Sequence, residues 1–166
     1  MLSFCQWLAD TPFSTGIRES TYIYPVVESV HVLSLCLFVG LLLLWDLRLF
    51  GITLPRIAVS EVWARLIPWI TLGAVLMVIS GLLLFASDPV RFYGNVFFRI
   101  KAVGLVLALL NALAFHFGIE RRIVEWDTSA MTPHAAKLAG GVSIALWAAI
   151  VVTGRFVAYN WFPPLV

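Results

Sequence analysis

Charge is what this chain has least of. Only 12% of its 166 residues are Asp, Glu, Lys or Arg, with 11 basic side chains against 9 acidic ones. A disordered chain needs more charge than that to stay solvated, and a nucleic-acid binder needs a clustered positive excess, so both classes are excluded. Cysteine is scarce as well: two in the whole chain rule out a disulfide-built scaffold. Cys5 lies in the N-terminal segment and Cys36 near the middle of the first apolar run, so no bridge between them is expected. The three histidines, His31, His116 and His134, are too scattered for a zinc triad. HExxH, GxSxG, CxxC and the phosphate loop are all missing, which leaves the familiar hydrolytic, dithiol and nucleotide chemistries without a motif. The first 20 residues lack a basic n-region, and Leu2 to Ala9 is too short and polar for an h-region, so they do not read as a signal peptide.

What fills the chain instead is apolar: 61% of residues, far more than a water-soluble domain of this length can bury. A bilayer core needs roughly 20 apolar helical residues per crossing. Four stretches supply them, at about 25–50, 66–86, 97–119 and 135–160. Pro25 suits a first helical turn, Ser87-Asp88-Pro89 reads as a turn, Glu120-Arg121-Arg122 stops the third span and Pro163-Pro164 follows the fourth. The expectation is an all-α fold: an integral membrane antiparallel four-helix bundle, residues 1–166 forming one domain.

Around the spans, Phe4, Trp7 and Leu8 beside Gln6 and Asp10 suggest a short helix lying in the interface or a loop with an aromatic anchor. Ser60 to Arg65 reads the same way, with Ser60 as cap. Arg48, Arg56, Arg65, Arg121, Arg122 and Lys137 gather on one side, six of the 11 basic residues. Of the rest, only Arg18 and Arg91 sit outside helix ends. The positive-inside rule then puts both termini on the non-cytoplasmic side, as suits a bacterial inner membrane. Gly140, Gly141, Ala145, Ala148 and Ala149 mark the fourth span as a close-packing helix.

Ionisable groups inside a span cost at least ~2.5–3.5 kcal/mol each at mid-membrane, so each is a functional candidate. At 1.5 Å per residue, His31, Lys101 and Arg155 all fall about 10 Å from the midplane toward the N-terminal side, with Glu28 slightly farther out and Ser80 in the same layer. The spacing Glu28, His31, Leu35, Phe38, Leu42, Trp45 follows one helical stripe, and Lys101, Leu105, Ala108, Ala112, Phe115 follow another. Asp46 and His116 lie about 12 Å toward the opposite side, where a hydrogen bond between them is one reading and a second site the other. His134, beside Pro133, reads as a helix-start residue.

His31 and His116 are thus about 22 Å apart along the membrane normal and cannot be the two axial ligands of one haem iron. His31 is either a haem ligand or a hydrogen-bonded core histidine. Lys101 is a second ligand, a propionate partner or a cation snorkelling to headgroups. Arg155 suits a propionate better than iron. Glu28-x-x-His31 is a weak metal-binding pair, and His116 a second candidate for iron.

Ser29-Val-His31-Val-Leu and Gly40-Leu-Leu-Leu-Leu-Trp-Asp46-Leu-Arg48-Leu-Phe50 resemble the first helix of the four-helix bacterial protoporphyrinogen oxidases. Phe97-Phe-Arg-Ile-Lys101, Asn111 and His116-Phe-Gly-Ile-Glu-Arg121-Arg122 resemble their third helix. That resemblance implies bound haem b with roles for His31 and Lys101. It covers roughly a third of the chain and departs at Trp45-Asp46, where a proline-containing turn is the family's pattern. The D-type copper-resistance membrane proteins share a similar pattern. Glu28-x-x-His31 together with Gly154-Arg155-x-x-Ala158-Tyr159 resembles a family of short bacterial four-helix membrane proteins of unassigned function, over most of the chain.

The reading that follows is a small b-type haem membrane protein in electron transfer or redox sensing, with one haem b per chain ligated by His31. Glu28, Lys101, Arg155 and His116 are the further cofactor-binding candidates. Two others stand beside it: a quinone-linked tetrapyrrole oxidoreductase of the protoporphyrinogen type, and a non-catalytic membrane subunit or metal-handling permease. The expected partners are the lipid bilayer and a quinone or redox partner protein.

Overall fold

The computed structural model describes residues 1–119, 123–127 and 132–159. Among these the chain is helical and contains no strand. Its elements are α1 (Leu2–Ala9), α2 (Pro12–Glu19), α3 (Ile23–Leu49), α4 (Val59–Ser87), α5 (Pro89–Gly94), α6 (Val96–Ala114), α7 (Ile123–Trp126) and α8 (His134–Phe156). α6 runs on into a π-helical turn, Phe115–Ile119. α3, α4, α6 with part of its π turn, and α8 are each long and apolar enough to cross a membrane. They are apolar around most of their circumference, so their outward side chains stay uncovered: Leu33 and Leu138 are 70% exposed and Leu82 63%. Hydrocarbon accepts such a surface and water does not. The chain is a multi-pass helical membrane protein.

Several boundaries differ from the sequence expectation. α4 begins at Val59, not near Leu66, and absorbs the segment expected to lie apart in the interface. Ser60 is not its cap: the N-cap position is Ala58, which has no capping side chain. Asp127 does that work from a distant loop, accepting the Ser60 amide at 2.8 Å and the Ser60 hydroxyl as well. Arg48 is buried beneath the loop and donates to the Ile57 carbonyl at 2.6 Å. Asp88-Pro89 does more than turn, for it places proline in the first turn of a short helix behind a capping side chain, as Thr11-Pro12 also does for α2. Of the two readings of the N-terminal segment, the helix is the one found, as α1, with Trp7 63% exposed. α8 begins at His134 and ends at Phe156. Glu120, Arg121, Arg122, Asn160, Pro163 and Pro164 lie outside the described residues.

α3 and α4 pack as one antiparallel hairpin, α6 and α8 as another, and α3 lies against α8 to join them. Glycines set the spacing. A Cβ on Gly73 would stand 3.0 Å from the Phe38 amide nitrogen, and one on Gly104 2.9 Å from the Ile150 side chain. α4 and α6 do not pack along their lengths. They meet at the end that carries α1 and α2, where Phe85 and Phe98 stack at 5.5 Å with Phe92 against them. The opposite end holds the apolar core: Trp45, Leu49, Val59, Val62, Trp126 and Ala136. The face that α6 turns to α8 is rotated from the expected stripe. Leu105 and Ala112 are exposed, while Gly104 meets Ile150 and Asn111 donates to the Ala139 carbonyl at 3.0 Å.

Candidate functional site

His31 stands on α3 facing α4. Its Nδ1 lies 2.9 Å from the Ser80 hydroxyl oxygen. That hydroxyl has one proton and directs it down its own helix, to the Leu76 carbonyl at 2.6 Å. Its oxygen is left to accept, so the ring carries its hydrogen on Nδ1 and keeps a lone pair on Nε2. Gly81 makes room for this pose: a Cβ there would come within 3.2 Å of His31 Cε1. The imidazole is half-buried, fixed in tautomer and seated on the backbone of α4.

Lys101 lies on the other hairpin, on α6. The charges of Lys101 and Glu28 both act on the His31 ring. Lys101 is half-buried, its chain laid along Gly154, where a Cβ would stand 3.5 Å from Nζ. Arg155, the next residue, is exposed with its guanidinium 5.6 Å from the Tyr159 ring centre. Glu28 is exposed one turn before His31. Contacts therefore bring His31 to Ser80 and Lys101 to Gly154, and electrostatic reach joins the two pairs; Arg155 and Glu28 flank them.

The other polar layer is arranged differently from the expectation. Asp46 is buried and accepts a hydrogen bond from Ser143 of α8, in place of the His116 partner read from depth alone. His116 sits in the π turn, exposed and edge-on to Phe117 at 5.0 Å. A π turn projects side chains off the α-helical stripe, so matched depth does not bring the pair together. His134 is the first residue of α8, as expected. Cys5 and Cys36 are both free. Among the described residues no three His, Cys, Asp or Glu side chains cluster closely enough to hold a bare metal ion.

Gly81, Gly154 and Ser143 escaped notice as site or support residues in the sequence. Their signal is small residues on one helix at the height of a polar residue on its neighbour, which needs the helix pairing to be known.

A family of unknown function, DUF6644, matches residues 4–160. The chain belongs to that family. The match spans all four long apolar helices, α2 and most of α1, so the His31 and Lys101 layer lies wholly within the family's domain. No curated protein and no solved structure matches the chain.

Proposed function

We propose that this member of the family is a small b-type haem protein that passes electrons or senses redox state, with one haem per chain on His31. One observation carries the reading: an intramembrane imidazole held through Nδ1 by Ser80, which makes Nε2 the nitrogen to offer a ligand. Buried histidines that are merely structural tend to spend both nitrogens, whereas a metal-ligating histidine is oriented through the nitrogen that does not bind. Lys101 and Arg155 supply cations for carboxylates at the same level, and Gly81 and Gly154 let the His31 and Lys101 side chains lie close against the neighbouring helices. Haem b, when bound, supplies one-electron chemistry; the chain ligates it, balances its charge and keeps water away. The resemblance of the first and third spans to haem-binding oxidases points the same way. By the positive-inside rule the haem would lie in the non-cytoplasmic half of a bacterial inner membrane, with both termini on that side.

The purified protein should show a Soret band that shifts on adding dithionite. His31→Ala should remove most of the haem while the four apolar spans still insert. A colourless, correctly folded preparation expressed with ample haem overturns the reading and favours a non-catalytic subunit. A second reading draws on the unpacked seam between α4 and α6, which gives a lipophilic substrate a sideways route to the layer. In it the protein takes hydrogens from a protoporphyrinogen-like tetrapyrrole and reduces a quinone to a quinol. Quinol formation dependent on added tetrapyrrole distinguishes it from pure electron transfer.

A further inference from the structure

A separate cavity lies at the end that carries α1 and α2. It has a volume of about 220 Å³ and is lined by Arg18, Tyr24, Ser87, Asp88, Arg91 and Phe92. Its charges are of both signs and held apart: the described residues contain no ion pair involving Arg18, Arg91 or Asp88. Arg18 reaches only the Ser87 carbonyl, at 3.5 Å. Asp88 accepts the Arg91 amide through one oxygen at 3.4 Å and keeps the other free. Unpaired opposite charges around one small space suit a ligand that itself carries both. Its height is fixed by the fold, since Tyr24 opens α3 and Ser87 closes α4, where the spans leave the hydrocarbon. The neighbouring short helices expose Phe4, Trp7 and Phe13, as segments embedded among headgroups do.

We propose that this cavity binds the headgroup of a zwitterionic phospholipid bearing a primary ammonium, such as phosphatidylethanolamine. The phosphodiester lies between Arg18 and Arg91 with the Tyr24 hydroxyl as a further donor. The ammonium donates to the free oxygen of Asp88. A quaternary ammonium carries the charge but has no hydrogen to give, and phosphatidylglycerol has no cation, so neither makes the charge-assisted hydrogen bond to Asp88. This site is independent of the haem reading.

Native mass spectrometry of the full-length protein, delipidated in detergent and offered matched phosphatidylethanolamine, phosphatidylcholine and phosphatidylglycerol, tests it. One phosphatidylethanolamine per chain should be retained, about tenfold over the others by the loss of one charge-assisted hydrogen bond. Arg18→Gln with Arg91→Gln should abolish retention, whereas the double lysine variant should keep most of it. Asp88→Asn should level the three lipids while preserving α5, because asparagine caps as well as aspartate. Equal retention of all three lipids by the parent, or unchanged retention in the glutamine variant, overturns the proposal. So does equally tight binding of soluble glycerophosphoethanolamine, which would make the occupant a free metabolite.

Discussion

At the scale of single residues, the hydroxyl of Ser80 is the least conspicuous member of the His31 site and the most informative to remove. Ser80→Ala leaves α4 intact, because its own bond to Leu76 duplicates what the helix backbone already provides. It frees the imidazole to rotate, and haem affinity should fall about 10–100-fold, the usual cost of losing an outer-shell partner. Transfer of haem to an excess of apo-acceptor protein measures this; an unchanged rate removes Ser80 from the site. Asp46 poses the opposite case. Asp46→Leu strands the buried Ser143 hydroxyl and should cost about 1–3 kcal/mol in detergent unfolding, while Asp46→Asn, which still accepts the bond, costs less. Haem content should be unaffected by either. None of this is visible in a linear sequence beyond the presence of polar residues at similar depth. Depth counting brought His31, Ser80 and Lys101 to one level, but it also paired Asp46 with His116, because it is blind to the π turn and to Ser143.

Among the elements, α4 shows where local reading stops. Its apolar length was legible, since any crossing helix must have it, but its first turn was not, since its cap lies 67 residues away on Asp127. Burial by itself would raise the Asp127 carboxyl. The Ser60 hydroxyl and amide, the Val59 amide and the Arg48 charge outweigh that and hold it below its ordinary range. A carboxyl depressed in the folded state stabilises while ionised, so its contribution is complete at neutral pH and disappears as pH falls through its folded value. Amide protection at residues 59–62 should therefore fall in acid, below the ordinary aspartate range, and Asp127→Asn should flatten that dependence. The helix faces were equally hard to read, because in lipid the apolar stripe no longer marks the contact side and small residues do. Gly73 and Gly40 make the contrast measurable. Gly73→Ala thrusts a Cβ into the Phe38 backbone and should cost about 1–3 kcal/mol. Gly40→Ala meets nothing within 4 Å and should be neutral or stabilising by up to about 1 kcal/mol.

For the molecule as a whole, membrane residence, four crossings and a single bundle follow from composition and run length alone. The division into two hairpins does not, because it depends on which helix pairs the glycines let approach. That division gives the bundle unequal ends. The cluster around Trp45, Leu49, Val62 and Trp126 clamps the hairpins together at one end. At the other, α4 and α6 touch through stacked phenylalanines, with α1, α2 and α5 laid over the tips. His31 and Lys101 lie nearer the end where α5 and the stacked phenylalanines tie α4 to α6 than the Trp45 cluster. A guest held between the hairpins would act as a rivet, adding about 2.7 kcal/mol of stability at a hundred times its dissociation constant. Hydrogen exchange should then slow along the N-terminal halves of α3 and α6 when the protein is loaded, and stay level around Trp45. Uniform slowing would mean that the guest stabilises the bundle globally and not at the His31 layer. The seam between α4 and α6 is the side on which the bundle is left open, so a lipophilic guest would enter through it by diffusion within the bilayer plane and not from the aqueous phase.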